Sequence, residues 1–416
     1  MSFFVKHKNY IVTFGTEFFI LILGFIIFRI ASERMTEIGF SEYALSRRNI
    51  SFLQPLLMIG LGVAVPRYIS ISPDRNSFLP AGLFLLAVVG TIFLIILGLG
   101  NRFFSTLFFG NDKYQSFIVP LTILLIGYGY HAILYGYLRG KKDIFFSNFI
   151  QFLHVGILPI MVLFHTQNIP SLLLFNGVIL ILLCVVFSIS IFIKNNIQLD
   201  IKLCLEDVRT LLNYGIPRVL GDFALLAILT FPAYIVLSIS KNVLLGGDVA
   251  YSITLLNLIG AAFGPISIVL LPEIGGFMRE KRFDLIRNRF YVFVLSSITL
   301  TLIGYLIFYF FHDFIFNILL GTNHRKELFD MASIMLLGSF GYVLYIVLRS
   351  FLDAIHVQAK NATNLIIVLI IYVLLIVYGN SNDVPLNDYL YYFVVSLNIL
   401  GILTLIKTYL SLKNLK

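Results

Sequence analysis

Glu17, Arg29, Arg47, Arg48, Arg218 and Asp222 are ionisable side chains set in stretches that are otherwise apolar. A charge in such surroundings is costly unless it faces protein, water or a bound partner, so each is a candidate for chemistry. Arg218 and Asp222 stand four residues apart, which puts them on one face of a helix. Pro217 just before them removes a backbone donor and tends to kink the helix, exposing carbonyls that a cavity or gate can use. The pair reads either as an anion-binding arginine with an acid able to take a proton, or as a self-satisfied ion pair that fixes helix packing. Glu17 follows Gly15 much as Asp222 follows Gly221. A carboxylate in a low-dielectric cavity holds a proton more readily than in water, so these two acids suit ion coupling; pairing with a neighbouring arginine purely for stability is the plainer role. Arg29, Arg47 and Arg48 either snorkel to the membrane surface or turn inward and, with Arg218, make a cavity positive. Guanidinium groups bind diphosphate oxygens bidentately and keep their charge.

Other reactive residues carry less. His131 and His154 are expected to be hydrogen-bonded packing residues, and Arg349 and Asp353 to form a surface ion pair. Cys184 and Cys204 are too few and too poorly spaced for a disulfide framework or a zinc site, so neither metal nor cofactor is expected. There is no P-loop, since GYLRGKK (Gly136 to Lys142) has too few residues between its glycines and Lys where Ser or Thr should follow. HExxH and GxSxG are also absent, so hydrolytic chemistry lacks its usual parts and the chain does not read as an enzyme.

These residues must be held by helices in lipid. The 416 residues are 59% hydrophobic and only 12% charged, far more apolar than a globular core can hide. About twelve spans of roughly 20 residues account for that excess, and the polar connectors are too short for an extramembranous catalytic domain. The net charge of +9 is scattered through connectors and forms no groove for nucleic acid. Apolar windows place spans near 10–31, 43–66, 78–100, 115–138, 144–164 and 169–193, then 210–239, 249–272, 290–311, 328–348, 361–379 and 389–411. The first is kept as a helix because it exceeds a signal-peptide core and no cleavage site follows. Connectors on the N-terminal side carry about 20 Lys and Arg against about six on the other, which predicts that both termini are cytoplasmic.

An internal repeat recurs at an offset of about 206 to 210 residues. Leu134, Tyr135, Leu138 and Arg139 return as Leu344, Tyr345, Leu348 and Arg349, GFSEY (Gly39 to Tyr43) as GDVAY (Gly247 to Tyr251), and Pro66 as Pro272. The expected fold is therefore an all-α polytopic membrane protein, with about twelve helices in two parallel-repeat six-helix bundles around a central cavity. The divisions are 1–193, a cytoplasmic linker at 194–209, and 210–416.

GFSEYAL (Gly39 to Leu45), GLGVAVPR (Gly60 to Arg67), YGIPRVLGD (Tyr214 to Asp222), Leu271-Pro272 and RSFLD (Arg349 to Asp353) together resemble the polysaccharide transporter family. That family includes the Wzx-type O-antigen flippases of the MATE-like exporter superfamily. The resemblance covers essentially the whole chain, with YGIPRVLGD its most specific part. It implies a flippase of the bacterial inner membrane that carries an undecaprenyl-diphosphate-linked oligosaccharide to the outer leaflet by alternating access, driven by an ion gradient. Arg218, Arg29, Arg47 and Arg48 would then bind substrate, and Glu17 and Asp222 would couple ions. Expected partners are the lipid-linked oligosaccharide, membrane lipid, a glycan polymerase and a chain-length regulator. Two alternatives stand beside it: a multidrug or metabolite exporter of the same fold, and a membrane glycan polymerase or ligase.

Overall fold

The computed structural model describes residues 3–72, 74–197, 200–321, 326–356 and 360–415, with side chains described from Gly15 onward except at Glu17 and at positions 265, 267–269, 271 and 272. In hydrocarbon a helix satisfies its own backbone, and the described residues contain no strand. The elements are α1 (Phe3–Arg34), α2 (Glu37–Met58), α3 (Leu61–Ile71), α4 (Phe78–Leu99), α5 (Asn101–Phe109), α6 (Gln115–Gly140), α7 (Ile144–Gln151), α8 (Leu158–His165), α9 (Ile169–Lys194), α10 (Ile201–Ser240), α11 (Val243–Arg279), α12 (Phe283–Leu320), α13 (Lys326–Met335), α14 (Ser339–Ile355), α15 (Lys360–Ser381) and α16 (Leu386–Lys413).

Ten helical stretches are long and apolar enough to cross a membrane among the described residues, and the bent α2–α3 pair makes eleven. The apolar run at 10–31 lies within α1 and would be the twelfth. Spans five and ten are composite: a π-turn at Phe152–Ile157 joins α7 to α8, and a 3-10 turn at Leu336–Gly338 joins α13 to α14. Connector residues cap the helices. Thr36 Oγ1 accepts from Gly39 N at 3.1 Å to start α2, and Asn168 Oδ1 accepts from Ser171 N at 3.1 Å to start α9. Residues 201–209, within the polar stretch between the two halves, form the opening turns of α10, which runs unbroken for 40 residues.

The chain forms two compact units, 1–219 with 319–321, and 220–318 with 322–416. In the first, α6 is central, packed on α2, α3, α4 and α9, while α1 packs on α2, α7 and α8. In the second, α14 packs on α11, α15 and α16. Each unit closes its centre at a glycine. A Cβ on Gly177 of α9 would lie 2.7 Å from Leu124 N of α6, and one on Gly401 of α16 would lie 2.5 Å from Gly341 Cα of α14. Small residues at helix crossings let backbones approach, which is how membrane helices gain packing without a hydrophobic effect between them. Large apolar side chains point outward instead, among them Leu99 (85% exposed), Ile193 (72%) and Phe310 (70%), as lipid solvates them.

The repeated tetrads do parallel work. Arg139 Nη2 donates to Tyr135 Oη at 2.6 Å and to Asn148 Oδ1, at 3.1 Å, on the next helix. In the second unit Asn361, also from the next helix, donates through Nδ2 to Arg349 O at 3.1 Å and to Asp353 Oδ1 at 2.7 Å. An asparagine thus ties span ten to span eleven where the sequence suggests an Arg349–Asp353 ion pair.

Candidate functional site

The break in span two builds the site. Ile59 and Gly60 are both left-handed, at φ 45° and 74°, and α2 and α3 meet there at 48°. Glycine enters that region freely, whereas a β-branched residue such as Ile59 does so at a cost of about 1–3 kcal/mol. Neighbouring packing fixes it. Ile59 N still donates to Pro55 O at 3.0 Å, and Ala64 N to Gly60 O at 3.0 Å, so both helix ends stay bonded. Gly215 of α10 lies directly on this corner: a Cβ on Gly60 would sit 2.5 Å from Gly215 Cα.

That contact brings GLGVAVPR and YGIPRVLGD together. Arg67 Nη1 donates to Tyr214 Oη at 3.2 Å, and its guanidinium carbon stands 4.7 Å from the Tyr214 ring centre. The Arg218 guanidinium carbon is 3.7 Å from the centre of the same ring, and its Nη1 donates to Tyr214 O at 2.8 Å. The edge of Tyr214 meets Tyr68 at 5.7 Å, which stacks on Phe78 at 5.2 Å, fixing the phenol's position. Both arginines are exposed, and among the described residues neither forms an ion pair. Two guanidinium groups on one aromatic ring, with no carboxylate between them, are arranged to receive an anion.

Nearby, the start of α10 is clamped to the α3–α4 connector. The buried Asp207 carboxylate takes an ion pair from Arg75 Nη2 at 2.6 Å and a hydrogen bond from Ser77 Oγ at 2.5 Å. The clamp and the Gly60–Gly215 contact together set the register of α10 against α3, and so the position of Tyr214.

A second polar feature lies inside the first unit. A cavity of about 240 Å³ is lined by Tyr43, Arg47, Gln54, Tyr128, His131 and Asn176 among others, and among the described residues no carboxylate stands on its wall. Arg47 Nη1 donates to Tyr43 Oη at 3.3 Å, and the guanidinium lies 5.7 Å from the Phe28 ring centre. The π-turn of span five turns His154 towards α6, where its Nδ1 meets His131 Nδ1 at 3.0 Å. One nitrogen must donate and the other accept, so the two imidazoles hold complementary tautomers. Cys184 Sγ approaches His154 Nδ1 at 3.8 Å. Among the described residues no His, Cys, Asp or Glu group is arranged to hold a metal ion.

The structure separates the arginines singled out from the sequence. Arg47 faces the cavity of the first unit, and Arg48 beside it is 5% exposed. Arg29 is half-exposed and pairs with Glu33 one turn further along α1. Arg218 joins the Tyr214 cluster, and Asp222, one turn beyond it on α10, is exposed. The Glu17 side chain lies outside the described residues. Sequence reasoning placed Arg67 and Tyr214 in the two resemblance motifs but gave neither a role in the site and did not pair them. It also treated His131 and His154 singly. The signal for the first pair was present: Gly215 stands next to Tyr214 and Gly60 two turns before Arg67, and these glycines mark where the two motifs meet.

The family model described as polysaccharide biosynthesis protein matches residues 7–278. No curated protein matches the sequence. Among solved structures, the inward-facing conformation of a multidrug resistance MATE family transporter of the MOP superfamily is similar at a TM-score of 0.71 and 12% identity, covering 95% of this chain and 94% of that chain. Its outward-facing counterpart gives 0.59 and 11%, covering 95% and 93%. A MOP superfamily transporter from Pyrococcus furiosus, described as having a binding pocket of reverse polarity that suggests a different function, gives 0.62 and 11%, covering 95% and 96%. With the family model matched across both motifs that build the Tyr214 cluster, and with the MATE fold along nearly all its length, the chain belongs to the polysaccharide biosynthesis protein family, on the fold of the MOP superfamily transporters.

Proposed function

We propose that this protein is a flippase that moves an undecaprenyl-diphosphate-linked oligosaccharide from the cytoplasmic to the outer leaflet of the bacterial inner membrane. The observation that carries the reading is the convergence of Arg67 and Arg218 on Tyr214 without a carboxylate partner. A diphosphate is a compact, multiply charged anion, and paired guanidinium forks match its oxygens. The family's link to polysaccharide biosynthesis supports a glycan cargo, and the fold supports transport by alternating access. An exporter of organic cations would be poorly served by this cluster, which repels them. With both termini cytoplasmic, Arg67 lies at the cytoplasmic end of span two and Arg218 about two turns into span seven, where the headgroup would first be met. Asp222, one turn further along α10 and exposed, is the acid we assign to proton exchange as cargo moves.

The reading is tested by complementation of a strain lacking the transporter. Arg67→Ala and Arg218→Ala should each lower lipid-linked oligosaccharide translocation by about 10- to 100-fold, as expected when a charge-assisted hydrogen-bond partner is lost. Protein levels should stay normal. Wild-type surface glycan from both variants would overturn the assignment.

A further inference from the structure

At one end of the second unit, where α14 ends, α15 begins and α16 finishes, an open cleft of about 410 Å³ is lined by His356, Lys360, Lys407, Ser411 and Asn414, with apolar side chains between them. Among the described residues no carboxylate lines it. Lys407 is fixed in place: its Nζ donates to Asn364 Oδ1 at 2.8 Å and to Lys360 O at 3.3 Å. An ammonium carries three N–H groups, so one donor of Lys407 remains beyond these two. Ser411 Oγ donates to Lys407 O at 2.8 Å, which commits its only hydrogen. It must therefore accept from His356 Nε2, 2.7 Å away, and His356 is anchored with its Nδ1 edge left over. Asp353, on α14 just before the cleft, accepts instead from Asn361. Arg287 from α12 donates to Leu412 O and Leu415 O, adding another cation at the end of α16.

Burial, then Lys360 and Lys407, hold the His356 imidazole below its usual pKa, as expected of a group crowded by positive charge. Such crowding is unfavourable unless an anion is shared among the cations. We propose that this cleft binds a phosphate-bearing anion, with Lys360 and Lys407 as its charge partners. Basic pockets between membrane helices at the cytoplasmic surface take lipid phosphates, and the excess of positive charge in the connectors assigns this end to that surface. The phosphate comes either from an anionic lipid headgroup or from a soluble phosphate compound. Every described lining residue belongs to the second unit, so the inference stands apart from the Tyr214 cluster and from the cargo proposed for it.

The test uses the purified full-length protein. Native mass spectrometry would compare retention of phosphatidylglycerol with that of phosphatidylcholine, and thermal unfolding would be followed in inorganic phosphate against chloride at equal ionic strength. Selective retention of the anionic lipid identifies a headgroup, and stabilisation by phosphate identifies a soluble ligand; either supports the site. Lys360→Gln and Lys407→Gln should each weaken the response about fivefold, as expected for one cationic group at a membrane surface. A wild-type protein that shows neither response overturns the proposal, as does a response undiminished in both lysine variants. Should Lys407→Gln fail to fold, Lys360→Gln and the wild-type measurement decide the matter.

Discussion

Gly60→Ala is the sharpest perturbation of the corner in span two, and its cost can be built from two observations. Gly60 sits at φ 74°, where an L side chain loses about 1–2 kcal/mol. The new Cβ would lie 2.5 to 2.7 Å from Cα, O and C of Gly215, all backbone atoms that cannot swing aside. Overpacking of that kind adds about 1–3 kcal/mol, so the substitution should destabilise the protein by about 2–5 kcal/mol in all. Gly62→Ala, two residues on, is the internal control. There the added Cβ meets only Met58 Cε at 3.9 Å, inside a regular helix, and Ala should be neutral or stabilising by up to about 1 kcal/mol. In the same detergent the unfolding midpoint of Gly60→Ala should therefore fall while that of Gly62→Ala holds or rises. Equal midpoints would refute the claim that α10 is seated on the corner through bare backbone. Because the same contact positions Tyr214, Gly60→Ala should also lower translocation in whatever fraction of protein remains folded.

Two further outcomes follow from buried polar groups. Replacing His131 or His154 singly with Leu strands one imidazole of the 3.0 Å pair and should cost about 1–3 kcal/mol, while the double variant should cost less than the sum; strict additivity in unfolding measurements would show that the contact carries no energy. Asp207→Asn keeps the shape of the clamp but removes its charge, and Arg75 is 39% exposed, so a loss of about 1–2 kcal/mol is expected; increased protease cleavage between α9 and α10 would register the loosening, and an unchanged cleavage rate would count against the clamp.

The membrane class and the spans were legible because a 20-residue apolar run has few other uses; most predicted windows fall on one observed helix, and those at 43–66, 144–164 and 328–348 each fall on a broken pair. Breaks inside spans were harder to read. Neither Ile59–Gly60 nor the π-turn at Phe152–Ile157 interrupts the hydropathy, since both lie within apolar sequence. Pairings between distant residues were invisible for a different reason. Arg67 and Tyr214 are 147 positions apart, and no local period brings them together. Arg47 and Arg48, adjacent to one another midway along α2, show why position alone misleads: sequence allowed both to reach the surface, while the structure gives one a cavity wall and buries the other. Where an arginine settles depends on what its surroundings offer: Arg47 meets Tyr43 one turn earlier on α2 and Phe28 on α1, and single-sequence reading does not supply the second of these.

The glycine crossings have a consequence for biosynthesis. The first unit's crossing, between α6 and Gly177, is synthesised before at least about 240 further residues, which at about 5–20 residues per second is a delay of ~10–50 s or more. Helix association in a bilayer is far faster than that. The earlier unit therefore settles before the later one has left the ribosome, so two unfolded units rarely lie side by side to exchange helices.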